Sequence, residues 1–156
     1  MSKIAGCHKV ILAIILATTL GWTAEARADQ TDPRLDQLFF QLQDVDEPRQ
    51  ARAIEQVIWG VWLERKSPTL ELLMGRVGNA MGQQKFGEAL ELLHSVVAIA
   101  PNYAEGWNKR ATVYFLLGQY EDSVADVERT LDLEPRHFGA LSGLGLIYMR
   151  LRKEAA

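Results

Sequence analysis

Apolar residues recur along much of the chain at the spacing of one helix face. Trp107, Ala111, Tyr114 and Phe115 stand at i, i+4, i+7 and i+8, and Val124, Val127 and Leu131 make a second stripe. That spacing gathers the side chains on one side of an α-helix. Gly118 and Gln119 interrupt the pattern between the stripes. Glu134 before Pro135 ends it, because the residue preceding a proline is pushed out of the α region. The stretch predicts two helices of about 14 residues joined by a tight turn. Gly118 is expected to leave the first helix in the left-handed conformation. Upstream, Leu35, Leu38, Phe39 and Leu42 follow the helix-starting pair Asp32 and Pro33, while Ile54, Val57, Ile58, Val61 and Trp62 form a longer stripe ended by Ser67 and Pro68. Trp59 lies off that stripe and is expected to pack across a junction or to stay partly exposed as a contact.

The pattern also repeats. Pro101 and Pro135 are 34 residues apart, as are Ala89 and Ser123, Phe86 and Tyr120, and Val97 and Leu131. Leu73, Trp107 and Leu141 continue the step, and so do Val77, Ala111 and Gly145. Self-similarity at such a period marks stacked supersecondary units. The units run over 70–103 and 104–137, with an incomplete third from 138 to 156. Ala111 and Ser123 read as small because the paired helices cross most closely there, with Trp107 and Tyr114 filling the space on either side. Each hairpin keeps an uncovered apolar side and has to stack on its neighbour. Residues 29–68 predict a further hairpin capping the first unit.

Residues 104–137 place Trp, a small residue, Tyr, Gly, Tyr, a second small residue and Pro at the signature spacing of the tetratricopeptide repeat (TPR), and the unit resembles that family. Residues 70–103 resemble it less, with Phe86, Ala89 and Pro101 in place but Val77 and Ala80 at positions usually small and Tyr. Residues 138–153 match one first helix, through Leu141, Leu144, Gly145 and Tyr148. The resemblance implies an all-α, helical-hairpin solenoid of about seven helices after the leader, with the first helix of each unit lining a concave groove. It also implies a binding function: the inward positions are Glu105, Asn108, Thr112, Phe115 and Leu116 in the second unit. In the first they include Glu71, Met74, Gly78 and Met81, and in the last helix Ser142, Leu146, Met149 and Arg150. With Lys109 beside Asn108, this mixture suits an extended peptide or an amphipathic helix of another protein. The Lys and Asn clamp of cytosolic heat-shock adaptors is not present, since Met74 and Gly78 occupy its first positions and Lys109 stands where that group has Asn.

The last helix carries Leu141, Leu144, Tyr148 and Leu151 on its inner stripe, with Leu146 and Met149 elsewhere on the wheel. A terminal repeat normally turns a polar face outward. Leu146 and Met149 are therefore candidates for self-association, and a homodimer through this helix is the alternative to an adaptor.

Composition changes the picture mainly at the start of the 156-residue chain. Residues 1–28 combine a basic beginning, an apolar run over 10–20 and the small-x-small triplet Ala26, Arg27 and Ala28. The run is too short to span a bilayer, which takes about 20 residues, and suits a signal peptide cut before Asp29. The alternative is an uncleaved anchor in the inner membrane. Cleavage removes Cys7, the single cysteine, and leaves 14 Lys and Arg against 19 Asp and Glu. This modestly acidic balance has no footprint for a phosphate backbone, so no nucleic-acid partner is expected. A bacterial periplasmic or secreted location follows as the expectation.

Catalysis has little to work with. His94 and His137 lack ligand spacing to another His, Asp or Glu, so no metal site is expected. No glycine-rich phosphate loop follows a strand. Glu121, Asp122, Asp126 and Glu128 read as a solvated face around a helix start. Neither an enzyme nor a cofactor is expected.

Overall fold

The computed structural model describes residues 32–64 and 67–154. The leader and its cut before Asp29 lie outside the described residues. Among the described residues seven helices follow in order: α1 (Pro33–Gln43), α2 (Pro48–Leu63), α3 (Pro68–Gly82), α4 (Phe86–Ile99), α5 (Ala104–Leu116), α6 (Tyr120–Leu133) and α7 (Phe138–Glu154). No strand occurs among the described residues, and none of the described helices is long and apolar enough to cross a membrane.

Proline opens α1, α2 and α3, where its missing N–H is one that a helix start leaves unpaired anyway. Asp32 caps α1 by accepting the Arg34 backbone N–H at 2.8 Å. The two complete units turn in the same way. Gly118 has φ of 76°, and Gln119 N–H returns to Tyr114 O at 2.9 Å. One period earlier Gln84 takes φ of 59°, and Lys85 N–H returns to Ala80 O at 2.9 Å. A glutamine thus holds the left-handed corner that suits glycine.

Helices α3 to α7 stack in sequence as hairpins. Leu93, Val96, Tyr103 and Val113 belong to the core joining α3, α4 and α5, and Ala111, Val127, Ala140 and Ile147 to the core joining α5, α6 and α7. The close crossing expected at Ala111 is present: Ser123 Oγ donates to Ala111 O at 2.7 Å. Trp107 is only half-buried, its Nε1–H donating to Pro101 O at 2.9 Å and the Arg110 guanidinium lying 4.8 Å over its ring. Asp126 is buried rather than solvated, holding Arg110 through two bonds of 2.7 and 2.8 Å between α5 and α6. The guanidinium therefore titrates above its usual range, chiefly through that side-chain bond.

The N-terminal hairpin sits elsewhere than on the face of α3. Its core of Leu35, Ile58, Val61 and Trp62 recruits Phe138 of α7, and α2 meets α5. The aromatic edge of α2, poorly served by its short partner α1, finds cover at the junction between the second and third units.

The stripe expected to be covered on α7 is not. Ala140 and Ile147 are buried, whereas Leu141, Tyr148 and Leu151 are exposed. In the 34-residue register Leu141 and Tyr148 correspond to Trp107 and Tyr114 of α5, which are half-buried there, Trp107 against Pro101 and Tyr114 against His94 of α4. No described helix covers Leu141 and Tyr148.

Candidate functional site

Helices α5 and α7, the first helices of their units, stand on either side of a cavity at the place where the repeat register puts the groove. Its inner end is closed by the chain itself. Trp62 stacks on His137 with ring centroids 4.3 Å apart and planes 7° from parallel. Trp59 meets Phe138 edge-on at 5.2 Å and fills the space left by Gly139, where a Cβ would stand 2.7 Å from the indole. Arg136 ties the hairpin from outside, donating to Asp36 at 2.8 Å with its guanidinium 4.4 Å over Phe39. The same Arg136 is bonded to the buried Glu134 carboxylate.

Beneath this lid lies a buried polar network. Glu105 is fully buried. Its carboxylate accepts Asn108 Nδ2–H at 2.8 Å and stands 3.0 Å from Lys109 Nζ and 3.3 Å from His137 Nε2. Lys109 stands at ion-pair separation, and neither Lys109 nor His137 is aligned with the carboxylate as a hydrogen bond. Ala140 N–H donates to His137 Nδ1 at 3.1 Å, so the ring proton sits on Nε2, facing the carboxylate. Burial pushes the Glu105 carboxyl up, but His137 and Lys109 outweigh it and hold the group below its ordinary value.

These contacts alter the expected contact set. Glu105 and Asn108, read from the repeat register as groove contacts, are bonded to each other, with Glu105 fully buried and Asn108 still at the cavity wall. Lys109 pairs with Glu105. Met74 is buried in the α3–α5 core and Met81 packs against it, in a unit where Ala80 stands at the position usually filled by a large Tyr. Thr112 and Leu116 are exposed and Phe115 is half-buried against Tyr120 at 5.7 Å. Leu146 and Met149 are both exposed.

The open part of the groove holds a cavity of about 210 Å³ between α5, α6 and α7. Thr112 and Phe115 line one wall, Gly143 and Leu146 the other, and Val127 and Ile147 lie among its apolar lining, with Asn108 also contributing. Of the histidines, His94 Nε2 lies 3.1 Å from the Tyr114 hydroxyl, a structural link between α4 and α5. Among the described residues no cluster of three His, Cys, Asp or Glu is placed to hold a metal ion. The His137 and Glu105 pairing escaped the sequence reading, since their 32-residue separation has no ligand-like spacing. The available signal was that each falls at the edge of a unit, where consecutive units abut.

No protein-family model matches the chain. A TPR repeat-containing protein of Rhizobium etli is 44% identical over 114 residues, which cover 73% of this chain and 56% of that protein. The chain thus spans little more than half the length of this curated relative. Among solved structures, the Sgt2 TPR domain from Aspergillus fumigatus is similar with a TM-score of 0.53 and 26% identity, over 56% of this chain and 58% of that one. With the repeat register and the observed helical hairpins, these similarities make the chain a tetratricopeptide-repeat protein.

Proposed function

We propose that the chain is a non-enzymatic interaction scaffold of the bacterial envelope that receives a peptide or helix of a partner protein in the open half of its concave groove. The observation that carries this reading is the apolar cavity between α5 and α7, flanked by exposed Thr112, Leu116, Leu146 and Met149. Concave, mostly apolar clefts with a few polar groups are the usual form of a binding site. Placement in the envelope rests on the leader-like residues 1–28.

In-cell crosslinking of the wild type beside Thr112→Arg tests the reading. A distinct protein captured by the wild type and lost with the variant supports it, whereas capture indifferent to the variant removes the groove from the function. Homodimerisation is the second reading, favoured by the exposed Leu141, Tyr148 and Leu151 on α7. A sedimentation mass that doubles with concentration and reverts in Tyr148→Glu would establish it. Fractionation of cells and sequencing of the mature N-terminus test export and the cut before Asp29.

A further inference from the structure

We infer that the groove takes one large aliphatic or aromatic side chain of a partner segment as its anchor, with a carboxylate of the same segment meeting Arg150 at the mouth. This rests on the groove reading above and specifies its ligand. The volume sets the size: an apolar cavity of about 150 Å³ accepts a benzene, and this one is about 210 Å³.

The hydrogen bonding sets the chemistry. Of the four polar side chains that line the cavity, three spend a donor inside the protein, Asn108 Nδ2 to Glu105 at 2.8 Å, Thr112 Oγ1 to Asn108 O at 2.9 Å and Ser123 Oγ to Ala111 O at 2.7 Å, and the fourth, Ser142, is exposed. Those three donors are directed into the protein and away from the space. A polar group entering there would exchange water for few free donors in a mostly apolar lining, which is unfavourable, whereas an apolar side chain loses nothing.

The direction of entry is also set. Trp59 against Gly139 closes the inner end. Gly139, Gly143, Leu146 and Arg150 follow one another along one face of α7, and the first three line the cavity, so that face leads from the closed end past Leu146 to Arg150. Arg150 is exposed and makes no ion pair among the described residues. Its charge at the mouth complements an acidic residue about one turn from the anchor.

Gly143 provides the test, because it lines the cavity and a Cβ there meets nothing within 4 Å. Gly143→Leu places a side chain in the anchor's space without a backbone clash, and circular dichroism checks that its helices persist. Random twelve-residue peptides displayed on phage are selected on residues 29–156 and re-bound to variants. The expected result is enrichment of peptides with one invariant large apolar residue near an acidic one. Their affinity should fall at least tenfold on Gly143→Leu and on Thr112→Arg, and hold on Leu141→Ser outside the groove. On Arg150→Glu, selection should turn from acidic to basic flanks. Peptides lost on Thr112→Arg but bound normally by Gly143→Leu overturn the anchor while leaving the groove in place. An unchanged flank preference on Arg150→Glu overturns the carboxylate contact. Absence of enrichment, or binding indifferent to every groove variant, overturns both the anchor and the groove reading.

Discussion

The indole of Trp62 lies flat on the imidazole of His137, 4.3 Å between centroids, and this stack fastens the N-terminal hairpin over the inner end of the groove. Both side chains are buried, and His137 in turn faces Glu105. Trp62→Ala is expected to cost about 3–5 kcal/mol, the range for removing a large buried aromatic. It should also free the hairpin, so hydrogen exchange at the start of α5 should accelerate beyond what global destabilisation explains. A loss below about 1 kcal/mol in urea unfolding would contradict the stack as a fastening.

Two glycines on one helix give opposite expectations. At Gly143 a methyl group meets nothing within 4 Å, so Gly143→Ala should stabilise by up to about 1 kcal/mol through helix propensity. At Gly139 the same methyl stands 2.7 Å from Trp59, whose ring is held between Trp62, His137 and Phe138. Gly139→Ala should lose about 1–3 kcal/mol to overpacking, outweighing that gain. Thermal melts of the pair check the difference in sign, and equal shifts would mean that Trp59 does not rest on Gly139.

The features legible in the sequence are those that one unit makes with itself. The 34-residue step, the corner at Gly118 and the small pair Ala111 and Ser123 each follow from two helices packing locally. What stayed illegible depends on distant parts of the chain meeting. Arg136 and Asp36 are 100 residues apart, and only the folded-back hairpin, through Trp62 on His137, shows why Glu105 is inside. Asp126 misled because a carboxylate in a helix usually faces water. Its half-buried partner Arg110 lies 16 residues earlier, on the facing helix. The α7 stripe misled for a related reason, since periodicity marks the apolar face but not what covers it.

The left-handed corners of the two complete units make a matched pair. Gln84 pays a backbone strain that Gly118 avoids, because a side chain in that region costs roughly 1–2 kcal/mol. Gln84→Gly should stabilise by about 1 kcal/mol, less than the full strain because glycine also gains entropy in the unfolded chain. Gly118→Ala should destabilise by a similar amount. Urea midpoints compare the two, and a Gln84→Gly variant less stable than wild type would indicate that the glutamine side chain contributes a contact outweighing the strain.

Glu105 gives the chain an acid-sensitive term. Its carboxyl is held below its ordinary value of 4.5, with His137 and Lys109 outweighing the cost of burial. For a carboxyl depressed in the folded state, stability is fully present above the unfolded value and is lost as pH falls through the folded one. The comparison with Glu105→Gln isolates it from the other carboxylates. The wild type should exceed the variant in urea stability by a constant margin at neutral pH, because the amide leaves Lys109 without its buried partner. Below pH 4.5 the margin should shrink steadily, as the unfolded chain takes up a proton that the folded chain still refuses. A margin that stays flat down to pH 3, or widens in acid, would mean that the buried carboxylate is not held in its charged form by Lys109 and His137.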